Sequence, residues 1–263
     1  MLILIRETAE EGSSTAAELV ARAIRKNPAL RLGLAAGKTP IGLYRKLVEL
    51  HQTGGVDFSA VHLFSLDELV GLPSHSPNSY GAFFRRHLVD HIPFDPAHLH
   101  LLNGETKENM TSYCATYEQR IRNLGGIDLQ ILGVGRNGHL GFNEPGSSLD
   151  SRTRLSLLSP STREDLAWGV DHAPVPEWAV TLGLGTILEA RALLLLAFGP
   201  DKAEVIAKSV EGSVSACVPA SCIQLHPTVI LLLDREAASS LISQDSYHQE
   251  GSHLTGLLPE WLR

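Results

Sequence analysis

Short, continuously apolar runs recur along this chain, spaced so that a helix fits between one and the next. Leu2 to Ile5, Leu30 to Ala36, Val61 to Leu66, Leu99 to Leu102, Asp128 to Val134, Ala192 to Phe198 and Thr228 to Leu233 are read as strands. The central ones are apolar throughout rather than alternating, as in strands buried on both faces of a parallel sheet. Helices are predicted over Ser13 to Lys26, Ile41 to Gln52, Asn78 to Val89, Glu108 to Asn123, Thr181 to Ala190 and Asp201 to Glu211. Ser13 or Ser14 is the expected cap of the first, and Pro40 suits the first position of the second because its missing N–H is not needed there. Arg152 to Pro176 reads as irregular and polar, with a short helix around Arg163 to Trp168, and is the expected mobile lid. Arg235 to Ile242 closes the regular structure, leaving the last twenty residues as a loosely packed tail. The fold class predicted is α/β: a single doubly wound, Rossmann-like, mostly parallel sheet with helices on both faces, in one domain spanning residues 1–263.

Composition narrows the function. With 43% hydrophobic residues, 19% charged residues and a net charge of −7, the 263-residue chain lacks the basic footprint of a nucleic-acid or membrane-surface binder. A small anion remains compatible, since it needs only two or three local cations. No apolar run approaches the ~20 residues of a membrane span. Three cysteines, Cys114, Cys217 and Cys222, are few and odd in number; they suit a reducing, cytoplasmic setting and carry no metal-ligand spacing, so no metal is expected.

Two motifs are decoys. Gly133, Gly135 and Gly138 spell the dinucleotide fingerprint after a strand, but Gly141 and Pro145 break the helix it should open. Gly37-Lys38-Thr39 evokes a phosphate loop, yet the glycine required five residues earlier is Leu32. What survives is a turn opening a helix, whose N–H groups and dipole favour an anion. Three strand ends thus carry chemistry: Gly37-Lys38-Thr39, Asp67-Glu68, and Asn137, His139 and Glu144. In a parallel sheet all three lie on one edge. An Asp facing an apolar cleft is a candidate general base, and a His held by a carboxylate can move protons near neutrality.

Leu34-Ala-Ala-Gly-Lys-Thr-Pro40, Phe64-Ser-Leu-Asp-Glu68 and Gly133-Val-Gly-Arg-Asn-Gly-His-Leu-Gly-Phe-Asn-Glu-Pro145 together resemble the glucosamine-6-phosphate deaminases. The resemblance continues through Ser147 to Arg154, Ser161-Thr-Arg163, Gly199-Pro-Asp-Lys202 and Ser221 to Pro227. It implies conversion of glucosamine 6-phosphate and water to fructose 6-phosphate and ammonia, with no metal or organic cofactor. It implies that His139 opens the sugar ring, oriented by Asn137 and Glu144, and that Asp67 moves a proton between C2 and C1. Gly37, Lys38, Thr39, Arg163 and Lys202 would hold the phosphate. Asn137 stands where some members carry Asp, and Lys38 where a small residue is usual. Ser156-Leu157 replaces the Lys-Thr pair of members activated by N-acetylglucosamine 6-phosphate, so no such activation is expected. Deamination of galactosamine 6-phosphate, a 6-phosphogluconolactonase and a non-enzymatic sugar-phosphate sensor stay as alternatives, as do monomer and homo-oligomer.

Overall fold

In the computed structural model, residues 1–73, 75–105, 109–167, 175–252 and 258–262 are described. The strands are β1 (Leu2–Arg6), β2 (Arg31–Leu34), β3 (His62–Ser65), β4 (Asp67–Leu69), β5 (Leu99–His100), β6 (Leu129–Leu132), β7 (Arg154–Leu157), β8 (Trp178–Thr181), β9 (Ala192–Ala197) and β10 (Val229–Asp234). The helices are α1 (Ala9–Lys26), α2 (Ile41–Gln52), α3 (Tyr80–His87), α4 (Met110–Asn123), α5 (Pro160–Leu166), α6 (Leu184–Leu188), α7 (Ala203–Val210), α8 (Arg235–Ala238) and α9 (Gln244–Ser252).

Seven strands form one sheet in the order β1-β10-β9-β6-β2-β3-β5, every neighbouring pair parallel. The expected α/β sheet is therefore present, flanked by helices. Its centre is dry: every residue of β6, β9 and β10 is buried, which is why these runs lack alternation. Successive strands β2, β3 and β5 step outward in one direction, and β6, β9 and β10 in the other. The reversal falls between neighbours β2 and β6, and a crevice opens at such a point beyond the strands' carboxyl ends.

A second sheet, β4-β8-β7, is antiparallel and adds to the expected one. The chain leaves the main sheet after Ser65 and enters the small one at Asp67, paired with Thr181. Thr181, expected in a helix, is thus the last residue of a strand, and the helix is confined to Leu184–Leu188. Pairing with two other segments overrode local propensity there. Likewise the segment expected to be irregular contains β7 and α5. In β7 the outward residues are the apolar Leu155 and Leu157, while the inward Ser156 donates to the Phe142 carbonyl at 2.6 Å. That inverts the usual alternation and hides the strand from pattern reading. Helix α5 begins before Arg163, capped by Ser159, whose hydroxyl accepts from Thr162 N–H at 3.2 Å; the predicted end at Trp168 lies outside the described residues.

Two termini also differ. Helix α1 begins at Ala9, because Thr8 accepts from Glu11 N–H and Glu11 accepts from Glu7 N–H, so Ser13 and Ser14 sit inside it. Within the last twenty residues, α9 packs on β1, and Leu258 and Leu262 are buried.

Candidate active site

The crevice beyond β2 and β6 is a cavity of about 420 Å³. Gly37, Lys38 and Thr39 line it from the end of β2, Asp67 from the start of β4, His139 from the loop after β6, and Lys202 from the turn before α7. Tyr80, Phe142 and Leu66 give it an apolar side, and Thr162 and Asp165 of α5 form another wall. The Tyr80 and Phe142 rings stack, centroids 5.9 Å apart.

Asp67 is buried, and its Oδ1 has no hydrogen-bond partner among the described residues. Burial raises its pKa well above the carboxylate range, and the neighbouring Glu68 charge adds to the rise. Glu68 turns away from the cavity and accepts from the N–H groups of Leu69, Tyr80 and Gly81 at 2.8, 2.8 and 2.9 Å. It thereby anchors the start of α3 and with it the Tyr80 ring.

His139 lies over Gly135, where a Cβ would stand 2.1 Å from the ring. Only glycine leaves room for the imidazole there. The Asn137 side-chain oxygen accepts from His139 N–H at 3.1 Å, and its Nδ2 donates to Glu144 Oε2 at 2.7 Å. Glu144 Oε1 accepts from Ser159 N–H at 3.2 Å. Glu144 is 3.8 Å from His139 Nδ1, whereas the Thr162 hydroxyl lies at 3.2 Å. Burial lowers the imidazole pKa; Glu144 opposes this, Lys202 reinforces it, and Asp165 opposes it again.

At the other end, Gly37 has φ +110° with open space around it, a conformation natural to glycine alone. Helix α2 starts beside it with no acidic residue in its first turn, so its N-terminal field is available to an anion. Lys202 Nζ pairs with Asp201 at 3.2 Å. Arg136 and Asp165, both lining the cavity, are ion-paired to each other.

Asp67, His139, Gly37, Lys38, Thr39 and Lys202 therefore meet around one cavity, with Asn137 and Glu144 directly behind His139. Arg163 does not line that cavity; its Nη1 lies 3.5 Å from Glu177 Oε1 and its Nε is buried without a partner among the described residues. Thr162, Tyr80, Phe142 and the Arg136–Asp165 pair escaped sequence reading. Ser159-Pro160 was the available signal for Thr162, since a serine cap with proline after it starts a helix at 160. Gly138 is followed by an isolated Leu140–Asn143 bridge and no helix, so the dinucleotide fingerprint is spelled without its fold. Among the described residues, no three His, Cys, Asp or Glu side chains are grouped as metal ligands, and no helix is long and apolar enough to cross a membrane.

A parallel α/β sheet with a carboxyl group, an imidazole and an anion-favouring helix start around its switch-point crevice defines a small-molecule enzyme site. The chain belongs to the family of glucosamine-6-phosphate isomerases and 6-phosphogluconolactonases, whose profile matches residues 5–231. A glucosamine-6-phosphate deaminase of Rhodococcus opacus (strain B4) is 45% identical over 262 residues, covering 99% of each chain. A solved monomeric glucosamine-6-phosphate deaminase superposes with a TM-score of 0.87 at 42% identity, over 91% of this chain and all of that one. A 6-phosphogluconolactonase from Trypanosoma brucei shares the fold, with a TM-score of 0.76 at 22% identity over 91% of this chain and 98% of its own.

Proposed function

We propose that this protein is an isomerising deaminase that converts glucosamine 6-phosphate and water to fructose 6-phosphate and ammonia. The observation that carries the reading is the meeting of a buried carboxyl of raised pKa, Asp67, and a largely neutral imidazole, His139, in one cavity. A lactonase needs no enolising base, so an Asp67 so placed favours deamination over ester hydrolysis. The relatives named glucosamine-6-phosphate deaminase, alike over nearly the whole chain, point the same way.

In this mechanism the phosphate sits against Gly37, Lys38, Thr39 and the start of α2, with Lys202 and, once released from Glu177, Arg163 completing the charge. His139 takes the proton of the sugar's anomeric hydroxyl and returns one to the ring oxygen, opening the ring. Ionised Asp67 removes the proton from C2 as O1 takes one up, giving an enolamine, and the proton returns at C1 as the amino nitrogen gives one up. The resulting C2 imine adds water and expels ammonia, leaving the ketose. Asn137 and Glu144 hold the His139 loop. Water is the only co-reactant, so the balance needs no cofactor. Helix α5, within the expected lid of residues 152–176, supplies one wall of the site, consistent with a lid that excludes water on binding. The reading places the enzyme in the cytoplasm, which three unpaired cysteines suit.

The test is direct. Purified protein should release ammonia and fructose 6-phosphate from glucosamine 6-phosphate in buffer alone. Parallel assays with galactosamine 6-phosphate and 6-phosphogluconolactone decide the alternatives: faster turnover of either one replaces this reading.

A further inference from the structure

The residue that directly contacts the buried nitrogen of His139 is neither of those to which the motif draws attention. Glu144 Oε2, at 3.8 Å from Nδ1, is beyond hydrogen-bond distance. Its carboxylate is committed to Asn137 Nδ2 and Ser159 N–H. The Thr162 hydroxyl, at 3.2 Å, meets Nδ1 instead, and Thr162 is only 2% exposed. Around that hydroxyl the donors are arranged in a defined order. Ser159 O–H donates to Thr162 Oγ1 at 3.0 Å, and Asn137 Nδ2 approaches it at 3.5 Å. Asn137 Nδ2 is committed to Glu144 Oε2 at 2.7 Å, so one acceptor position of the Thr162 oxygen is left for a proton on Nδ1. Nδ1 then carries the ring proton and Nε2 is the accepting nitrogen, as a group that takes up the anomeric proton requires.

We infer that Thr162 is the positioning residue of His139: its hydroxyl oxygen fixes the ring plane and holds the neutral Nδ1–H tautomer, with the Nε2 lone pair toward the cavity. This rests on the deaminase reading for its kinetic consequence but not for its structural one. It also gives α5 a second task. The helix that walls the cavity through Thr162 and Asp165 is the same one that sets the imidazole. A shift of α5 therefore moves cavity shape and acid–base geometry together. The charges acting on the ring are Glu144, Lys202 and Asp165, and none of them touches Nδ1 within hydrogen-bond distance. A carboxylate in direct contact would pull a second proton onto the ring, whereas a hydroxyl leaves it neutral.

Thr162→Val keeps the shape and removes the hydroxyl. Its kcat should fall about tenfold with KM nearly unchanged, the loss of one directed hydrogen bond to a reacting group. Thr162→Ser, which restores a hydroxyl, should recover most of that loss. Nitrogen-15 spectra of imidazole-labelled wild-type protein should show His139 with a protonated Nδ1 and an accepting Nε2. In Thr162→Val the two nitrogens should average toward the mixed values of an unheld ring, with a shifted titration. A His139 already averaged in the wild type, or identical spectra and kcat in Thr162→Val, overturns the inference. The wild-type spectrum decides even where the valine variant fails to fold. Absence of deaminase turnover in the wild type would instead defeat the functional reading, leaving the spectra to judge Thr162.

Discussion

Asp67 and Glu68 are adjacent in the chain, both buried, and opposite in hydrogen bonding: Glu68 accepts three backbone N–H groups, while Asp67 Oδ1 has no partner among the described residues. Strand β4 explains the split, because successive side chains of a strand point to opposite faces. One face meets the start of α3 and satisfies its carboxylate. The other meets the cavity, where an unsatisfied carboxyl is costly for stability and useful for proton transfer.

Asp67→Asn removes the proton carrier without changing the volume of the side chain. Its kcat should drop by about 10²–10⁴-fold, while the sugar phosphate still binds. Ammonia release and calorimetric titration on the same preparation check this. Near-normal turnover would assign the base elsewhere.

The same variant is expected to be more stable than the wild type at pH 8. Folded Asp67 keeps its proton to higher pH than the unfolded chain, whose carboxyl titrates near pH ~4. Folding therefore takes up a proton between the two values, and the contribution of this residue to stability falls as pH rises through that window. The penalty is absent below the unfolded value and complete above the folded one. Thermal denaturation of both proteins at pH 8 and near pH 4 should show the gain shrinking on acidification.

Glu68→Gln removes the second cause of the Asp67 shift. The acid limb of kcat/KM, set by ionised Asp67, should move to lower pH. The change should be smaller than the total displacement of that limb from the ordinary carboxylate range, since burial is the larger cause. An unmoved limb would separate the two carboxyls.

Arg163 and Glu177 form a pair at 3.5 Å whose side chains are 42% and 66% exposed. Such pairs contribute about 0–1 kcal/mol, so the link is easily broken when a phosphate competes for the guanidinium. Arg163→Ala should raise KM about tenfold or more with a smaller effect on kcat. Glu177→Gln should leave the melting temperature nearly unchanged and lower KM slightly; an unchanged KM in Arg163→Ala would remove Arg163 from phosphate binding.

Away from the site, Asp128 ties β6 to β2. Its buried carboxylate accepts from Arg31 N–H at 2.9 Å, Nε at 2.8 Å and Nη2 at 2.6 Å. Asp128→Ala leaves those donors, partly buried, without an acceptor and should cost about 3–5 kcal/mol in urea unfolding. Because these strands flank the crevice from its far end, kcat at low temperature should be retained.

From the sequence alone came the α/β class, the strands β6, β9 and β10, and the three loops that converge. Each is a local matter: an unbroken apolar run can be satisfied only by burial on both faces, and glycines followed by polar residues must end it. Tertiary structure decided the rest. Strand β7 needed β8 to exist, since its own alternation is inverted, and Thr181 left a helix for a strand because Asp67 and Arg154 pair with it. The tie of Arg163 to Glu177 and the contact of Thr162 with His139 are likewise set by the packing of α5. Hydrogen-bond partners distant in the chain leave no periodic trace in it, so only the folded arrangement can assign them.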